Sequence, residues 1–533
     1  MDALLSVAAP IIVFTIRAMY RFIWLVFLLC IVSGCSISLV TIDTMRNQPM
    51  DAQSEQKKIR AQEHIATESL SDGVFIGITL SGGGSRAANF SSAVLLELEK
   101  IGILNKTTAI SSVSGSSLPA AYYGLYGRDK KRWNEKAVRH QMGKDFEIRW
   151  LGRWFLPHNI LLYWYTNYNR SDIMKEALDA NLFHGRTFAD MGDGFPRILI
   201  NATTLSEGKR FVFSEDRFRS LHSRIDTFPV ANAVMASSAY PGAFHDMTLK
   251  NYAVTDQEQY EHIIDAGPSD NLGTTTLLSM VSHLYREPVK PKGCFLFVVD
   301  AYPAHVNSEL SRLADTREYF DFFYARNVSA ASDALLSARR IDLLNQLNIY
   351  PLEPGMDPFQ PNTGPDAIYP DPSDHLQVEC AVWHLSLQRL YSGEFGGDVV
   401  QKNPALKKDI SELSAVVNSI PTRYKLTGDG PSDAPHLDSD ALQESLFKAA
   451  HYLLYVDRDE NGNPILEQVC NWFIQKGIRD LQCDVKEKTG LHQKPERALE
   501  ANQELLPATG STPASGGTTT PGKTGTPRTP SAS

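Results

Sequence analysis

The sequence predicts an α/β protein with a mostly parallel central sheet, helices on both faces of that sheet and a helical C-terminal extension. Short apolar runs, beginning with Val74–Leu80, alternate with segments of helical pattern, and this alternation is typical of strand–helix–strand units. The 533 residues are 43% apolar, which allows a sizeable core. The net charge of −9 does not indicate a polyanion-binding surface, so we expect no nucleic-acid partner.

Each element follows from the spacing of apolar residues and from turn-forming residues. Buried apolar runs predict strands at Val74–Leu80, Thr108–Val113, Arg197–Asn201, Arg210–Phe213 and Cys294–Val299. Helical patterns follow the first two strands and return late in the chain, at Asn89–Ile101, Leu118–Tyr126, 305–350, 376–395 and 440–500. Pro351–Pro372 is rich in Pro, Asp and Gly, so we expect a loop there.

The N-terminal region has the pattern of a secretory signal. Arg17 and Arg21 precede the apolar run Phe22–Val32, which is short for a membrane span and suits a signal-peptide core. Small residues then lead to Cys35, and this arrangement resembles the lipobox of bacterial lipoproteins. The resemblance implies cleavage before Cys35 and lipidation of that cysteine. It also implies a bacterial cell-envelope protein, for which Ser36 favours the outer membrane. An uncleaved anchor is the alternative.

Three consecutive glycines, Gly82, Gly83 and Gly84, stand between the first strand and its helix. Such a run is costly to order, and it is typical of places where bare backbone amides approach a ligand closely. Near the start of a helix, these amides and the helix dipole favour negative charge. The anion is either a bound phosphate or an oxyanion that forms during acyl transfer.

A second strand-to-helix junction favours acyl transfer. The segment Ser112–Ser116 resembles the G-x-S-x-G nucleophile elbow, with Ser114 at the centre and serine in both outer positions. The elbow needs small residues two positions away on either side, and serine is small enough. A frame centred on Ser117 is the alternative, since Pro119 would then fall in the first helical turn.

Two further segments complete an ordered set of four motifs. Ala236–Phe244 reads Ala-Ser-Ser-Ala-Tyr-Pro-Gly-Ala-Phe, and Ile263–Gly273 delivers Asp265 at the end of a short apolar run. In this order and spacing the motifs resemble the patatin-like phospholipase family, over roughly residues 74 to 300 and more loosely to about 395. Family members place an apolar residue four positions after the nucleophile and a small residue six after. Leu118 and Ala120 fit Ser114 in these positions.

The resemblance implies a Ser–Asp dyad, in which Ser114 is the nucleophile and Asp265 is the base. It assigns the oxyanion hole to the three glycines at 82–84, and it implies that Arg86 steadies that loop or binds the lipid phosphate. Asp270 and Asn271 are expected to organise the turn after the base. Two departures from the family pattern are Ser116 and Ala266, since the alanine would be strained at a positive φ. No cofactor or metal is required by this chemistry.

The function that the resemblance implies is a lipid acyl hydrolase, a serine esterase that cleaves carboxylic esters of phospholipids or lysophospholipids through an acyl-enzyme. A thioesterase or acyltransferase would use the same dyad, and a lipid-anchored scaffold with a decayed site is a further alternative.

The segment Trp150–Tyr168 is rich in Trp and Tyr, and Arg149 and Arg153 lie beside it. Such a composition suits a membrane interface, so we expect a cap that contacts lipid; plain core packing is the alternative. Among the cysteines, Cys470 and Cys483 are close enough in sequence to form a disulfide, whereas Cys294 lies in an apolar run and is predicted to be a buried thiol.

These observations divide the chain into five segments. They are a lipoprotein signal peptide at 1–34, a polar tether at 35–72, a patatin-like hydrolytic domain at 73–400 with the aromatic cap at about 145–175, a mostly helical extension at 401–504 and a disordered tail at 505–533.

Overall fold

The computed structural model describes residues 46–51, 67–192, 194, 196–302, 326–347, 368–370, 377–428, 437–459 and 461–483. The predicted signal peptide, the lipidation site Cys35, the C-terminal tail and most of the predicted loop Pro351–Pro372 lie outside these residues. Among the described helices, none combines the length and the apolar character needed to cross a bilayer.

The central sheet has eight strands. In chain order they are β1 Val74–Leu80, β2 Ala109–Ser112, β3 Arg197–Thr204, β4 Arg210–Val212, β5 Met247–Lys250, β6 Tyr260–Ile264, β7 Gly293–Asp300 and β8 Ala381–Ser386. Across the sheet they follow the order β8-β7-β1-β2-β3-β6-β5, and β4 pairs with β3. The first five in this order are mutually parallel, whereas β6, β5 and β4 are antiparallel to their neighbours. The mostly parallel sheet predicted from the sequence is confirmed as a mixed sheet with a parallel centre.

The helices are numbered in the same way. They are α1 Gly84–Lys100, α2 Ser117–Tyr126, α3 Glu135–Met142, α4 Phe146–Trp154, α5 Pro157–Tyr165, α6 Arg170–Leu178, α7 Glu215–Ser220, α8 Val230–Ser237, α9 Gly267–Asp270, α10 Thr274–Arg286, α11 Arg326–Gln346, α12 Gly397–Gln401, α13 Pro404–Ser419, α14 Ser439–Tyr455 and α15 Ile465–Gln475.

Helices cover both faces of the sheet. Every residue of β1 and β7 is buried, which explains why these strands read as continuous apolar runs. Successive side chains of β1 enter opposite layers: Ile76 and Ile78 join the core beneath α1, whereas Phe75 joins the core beneath α10 and α11. The prediction of helices on both faces is therefore confirmed.

The C-terminal helices share the core of the α/β domain. Leu446 and Phe473 belong to the same buried cluster as Ile76. In addition, the side-chain amide of Gln443 on α14 donates a 2.7 Å hydrogen bond to Oδ1 of Asn89 on α1, and both groups are buried. The predicted helical extension is thus confirmed as a set of helices, and α14 lies directly against the helix that follows the glycine run.

The predicted helix at 376–395 is wrong. This segment contains β8, a short strand at Gln377–Glu379 that pairs with Ile368–Pro370, and a single 3-10 turn at Leu387–Tyr391. The strand at Ile368–Pro370 also falls within the predicted loop. The reason lies in burial: all six residues of β8 are buried, and a short run buried on both faces has no periodicity that separates strand from helix.

The described residues contain two disulfides. Cys470 is bonded to Cys483, as predicted. Cys294 is bonded to Cys380, so the prediction of a buried thiol at Cys294 is wrong. The cause is the register of the parallel strands, which pairs Ala381 with Phe295 and so brings the preceding cysteines side by side.

Candidate active site

The site forms where β1 and β2 end at the same edge of the sheet. Because these strands are adjacent and parallel, the glycine run that follows β1 and the elbow that follows β2 emerge together. On the far side of β2, Ser112 pairs with Ile200 of β3, and Thr203 of β3 pairs with Ile264 at the end of β6. The residue after β6, Asp265, therefore arrives at the level of Ser114.

Ser114 stands on a strained turn. Its φ is 52°, a left-handed conformation that serine adopts rarely and that costs energy unless the surroundings hold it. The hydroxyl of Ser237, at the end of α8, accepts a 2.9 Å hydrogen bond from the Ser114 amide and holds the turn from one side. The Ser114 side chain is partly exposed, so a substrate can reach it.

Ser114 and Asp265 are in direct contact. The Ser114 hydroxyl donates a 2.8 Å hydrogen bond to Oδ2 of Asp265, and the amide of Gly267 donates one of 2.8 Å to Oδ1. Asp265 is only 3% exposed. Burial raises the pKa of its carboxyl to about 6, even though the two hydrogen bonds favour the charged form. The geometry thus pairs a hydroxyl with a carboxylate that is a stronger base than one in water.

The alternative frame, with Ser117 as nucleophile, does not fit this geometry. The Ser117 side chain is fully buried, and its hydroxyl bonds to the hydroxyls of Ser112 and Ser237. These are structural contacts within the elbow, whereas Ser114 alone of the two candidates contacts a carboxylate in the described residues.

The two departures from the family pattern are both accommodated. Ser116 uses its hydroxyl to donate a 2.6 Å hydrogen bond to the carbonyl of Ser81, which ties the elbow to the residue just before the glycines. Ala266 has a φ of −72°, so the strain expected for alanine at a positive φ does not arise.

The glycine run begins α1 and borders the elbow. Gly84 has a φ of 58°, and an added Cβ there would lie 2.4 Å from the carbonyl oxygen of Arg423. A Cβ on Gly115, the residue after the nucleophile, would lie 2.1 Å from the Gly84 carbonyl oxygen. Glycine is therefore required at both positions, at Gly84 by the backbone of Arg423 and at Gly115 by the backbone of Gly84.

The three glycines differ in the availability of their amides. The amide of Gly82 donates to the carbonyl of Asn271 at 3.0 Å and is already engaged. Among the backbone hydrogen bonds of the described residues, none is donated by the amides of Gly83 and Gly84. These two amides, at the N-terminus of a long helix, are therefore the candidate oxyanion donors of the run.

Arg86 lies beside the glycine run, since a Cβ added at Gly83 would lie 3.2 Å from Nη2 of its guanidinium. Its side chain is buried, and its guanidinium donates to the carbonyls of Ala301 and Ile420 and to the hydroxyl of Thr422. These three hydrogen bonds are made to the chain itself, and binding of a lipid phosphate by Arg86 stays a prediction. The predicted role in steadying the loop is compatible with these contacts.

A segment that sequence reasoning missed lies across the glycine run. We call residues 420–426 the strap. Its Arg423 carbonyl accepts a 2.7 Å hydrogen bond from the Ser85 amide, and the Tyr424 hydroxyl donates to the carbonyl of Ser238. Burial raises the pKa of Tyr424 well above its usual value, and the nearby charge of Asp265 raises it further. No local motif marks the strap, because it reaches the site only through the packing of the C-terminal helices.

The turn after Asp265 is organised as predicted. The Asp270 carboxylate accepts hydrogen bonds from the amides of Leu272, Gly273 and Thr275, and the Asn271 carbonyl holds the Gly82 amide. Among the described residues, no cluster of three His, Cys, Asp or Glu side chains could hold a metal ion.

Comparison with known proteins supports one family. Residues 78–278 match the family model described as patatin-like phospholipase. Similar solved structures include human GIVD cytosolic phospholipase A2, with 13% identity and a TM-score of 0.37 over 71% of this chain and 60% of that chain. The structure of that enzyme in complex with methyl gamma-linolenyl fluorophosphonate has 14% identity and a TM-score of 0.38, over 72% of this chain and 57% of that chain. VipD from Legionella pneumophila has 12% identity and a TM-score of 0.25, over 76% of each chain.

The chain thus spans about 60% of the length of the human phospholipase chain. No curated protein sequence matches it.

Proposed function

We propose that this protein is a lipid hydrolase and that Ser114 and Asp265 are its catalytic dyad. The match of residues 78–278 to the family model described as patatin-like phospholipase supports lipid hydrolysis. The substrates are carboxylic esters of phospholipids or lysophospholipids, and the reaction proceeds through an acyl-enzyme on Ser114. The single observation that carries this proposal is the 2.8 Å hydrogen bond from the Ser114 hydroxyl to the buried Asp265 carboxylate, beside a glycine run that begins a helix.

Acylation uses each of these groups. Asp265 accepts the hydroxyl proton as Ser114 Oγ bonds to the ester carbonyl carbon. The carbonyl oxygen becomes an oxyanion, which the amides of Gly83 and Gly84 and the positive end of α1 stabilise. When the intermediate collapses, the ester C–O bond breaks and Asp265 returns the proton to the leaving alcohol.

In deacylation, water takes the place of the serine hydroxyl as the nucleophile, and Ser114 Oγ becomes the leaving group. Asp265 accepts a proton from a water molecule that attacks the acyl carbon. The new oxyanion forms against the same amides, the bond to Ser114 Oγ breaks, and the serine recovers its proton. The products are a fatty acid and the regenerated enzyme. A raised carboxyl pKa serves both halves, because the ideal pKa of a general base lies close to the working pH.

The proposal includes a location. We place the mature chain in a bacterial cell envelope, anchored by lipid on Cys35 and preferably in the outer membrane. The two disulfides, Cys294–Cys380 and Cys470–Cys483, support a compartment outside the reducing cytoplasm.

The direct test is hydrolysis of mixed phospholipids by protein that starts at Ser36, followed by mass spectrometry of the released fatty acids. We expect the Ser114→Ala and Asp265→Asn variants to lose turnover while each still shows a cooperative melting transition, which is the control for folding. Unchanged lipid turnover in Ser114→Ala would overturn the assignment.

A panel of acyl esters in the same assay separates the remaining alternatives. Turnover of acyl thioesters in preference to phospholipids would indicate a thioesterase with the same dyad. Absence of turnover on every ester would indicate a scaffold with a decayed site.

A further inference from the structure

The hairpin formed by α4 and α5, residues 146–165, presents a large apolar surface to solvent. Of the seventeen exposed large hydrophobic residues in the described chain, ten lie in this hairpin. Phe155 is 69% exposed, Leu161 58% and Trp164 47%. Contiguous apolar surface of this kind is rare on soluble proteins and marks a site that binds another apolar surface.

The charges around the hairpin favour lipid as that surface. Between Ile148 and Ser171 the sequence carries Arg149, Arg153 and Arg170 and has no Asp or Glu. Exposed Trp and Tyr side chains with flanking arginines match the interface of a bilayer with anionic headgroups.

The hairpin is joined to the mouth of the dyad. In the first turn of α4, the Phe146 amide donates to the Tyr424 carbonyl at 3.1 Å, and the Glu147 carboxylate accepts from the Tyr424 amide at 3.2 Å. Further along, Trp150 packs edge-to-face on Phe244, and Phe244 packs on the Tyr424 ring. Tyr424 lies close enough to Asp265 for the charge of that carboxylate to raise the pKa of its phenol. The hairpin is therefore linked to the neighbourhood of the dyad through Tyr424.

The N-terminal segment enters the domain beside the same hairpin. Arg46 makes a bidentate ion pair with Asp172, at 2.7 and 3.1 Å, and both side chains are nearly buried. Asp172 is in the first turn of α6, which follows the hairpin, and the carbonyl of Arg170 in that turn accepts a hydrogen bond from the Trp150 indole. Arg46 is thus fixed to the base of the hairpin.

The length of chain before Arg46 limits where the membrane can be. Arg46 is eleven residues after Cys35, and a fully extended chain of that length spans at most about 40 Å. A lipid on Cys35 would therefore hold the hairpin side of the domain next to the anchoring membrane.

We infer that the apolar face of the hairpin docks on the membrane that holds the Cys35 lipid, so that Ser114 hydrolyses lipids of that same leaflet. This inference rests on the proposed function, through both the anchor and the dyad. It identifies the substrate pool as the anchoring membrane, and it excludes a free approach to a separate bilayer as the main route.

The test compares two vesicle populations. The lipidated chain is reconstituted into host vesicles of phosphatidylglycerol and phosphatidylethanolamine, and protein-free acceptor vesicles of the same lipids carry a different isotope in their acyl chains. We expect fatty acid released from host vesicles to exceed that from acceptor vesicles by at least about ten-fold, since the tether keeps the site at the host surface. Equal release from the two populations would overturn the inference.

Substitutions on the exposed face test the role of the hairpin. In a triple variant with Phe155→Ser, Leu161→Ser and Trp164→Ser, we expect the ratio of host-vesicle hydrolysis to soluble-ester hydrolysis to fall at least about ten-fold. The matched control is Ile474→Ser, because Ile474 is 46% exposed on α15, which contacts the opposite end of β7 through Gly293. An unchanged ratio in the triple variant would contradict docking by the hairpin.

Binding without hydrolysis keeps this test separate from the catalytic proposal. Flotation of protein that starts at Ser36 with anionic vesicles measures docking alone, and we expect the triple variant to reduce the floated fraction and the Ile474→Ser control to preserve it. Failure of the parent protein to cleave a soluble ester would contradict the dyad, whereas loss of the difference in flotation would contradict the docking surface.

Discussion

The Ser114 hydroxyl donates a 2.8 Å hydrogen bond to Oδ2 of Asp265 from a backbone held at a φ of 52°. The two residues are 151 positions apart, so the contact is made by the sheet and not by local sequence. A serine at positive φ is strained, and the Ser237 hydroxyl and the glycine contacts around the turn retain that strain. A strained backbone beneath a partly exposed hydroxyl is typical of active-site residues.

The pH dependence of activity follows from the base. Burial raises the pKa of Asp265 to about 6, and only the deprotonated carboxylate can accept the serine proton. We therefore expect kcat/KM for a soluble ester without ionisable groups to rise with pH, with a midpoint near 6, and then to level off. A midpoint near 4, the value of an exposed carboxyl, would show that burial does not tune this group.

The same burial costs stability. The folded-state pKa of about 6 lies above the ordinary value of 3.8, so the folded state holds the proton more tightly than the unfolded state does. Stability is therefore lost as pH rises from about 4 to 6, and the loss at neutral pH is up to about 3 kcal/mol. Asp265→Asn removes this cost and keeps an oxygen to accept from the Gly267 amide. We expect it to be inactive and to unfold at a higher temperature than the parent.

The pH series supplies the control for this prediction. Melting curves at about pH 8 should show the gain in D265N, and curves near pH 4 should show little difference, because the parent carboxyl is then protonated as well. A D265N protein that is less stable than the parent at the higher pH would contradict a destabilising carboxylate.

The close contact between the elbow and the glycine run predicts that substitution of Gly115 lowers activity. A Cβ at position 115 would lie 2.1 Å from the Gly84 carbonyl oxygen, so Gly115→Ala must displace the loop that carries the oxyanion donors. We expect kcat to fall at least about 100-fold, the usual loss when an oxyanion donor is removed. Gly393→Ala is the matched control, since no atom lies within 4 Å of its added Cβ. Equal activity in the two variants would count against the assigned loop.

Arg86 offers a test that separates a structural role from a lipid-binding role. Arg86→Met removes the donors to the carbonyls of Ala301 and Ile420, and each buried group left unpaired costs ~1–3 kcal/mol. We expect the free energy of unfolding to fall by about 2–5 kcal/mol, measured by urea denaturation, with any change in KM the same for phospholipids and neutral esters. A rise in KM confined to phospholipids would instead place Arg86 on the lipid phosphate. Lys402→Met, on an exposed side chain, serves as the control.

The sequence was sufficient for the features that local pattern determines. The strands beside the site and the elbow serine stood out because a buried parallel strand is a continuous apolar run and because the elbow needs small residues at fixed spacing. The helix after the glycines begins earlier than predicted, because the last glycine of the run, Gly84, is its first residue.

The remaining features depend on contacts between distant segments. Cys294 pairs with Cys380 only because β8 lies beside β7, and that placement was hidden when β8 was predicted as part of a helix. The sequence does not predict the partners of Arg86, because its guanidinium donates to the Ile420 carbonyl and the Thr422 hydroxyl of the strap, which is distant in sequence. Tyr424 could not be predicted for the same reason.

The most direct measurement of the central claim is the site of covalent attachment of a fluorophosphonate probe. We expect mass spectrometry of the digested protein to place the phosphonyl group on Ser114, with labelling lost in Ser114→Ala and retained in Ser117→Ala. Attachment to any other serine, or the same degree of labelling in Ser114→Ala as in the parent, would contradict the assignment of Ser114 as the nucleophile.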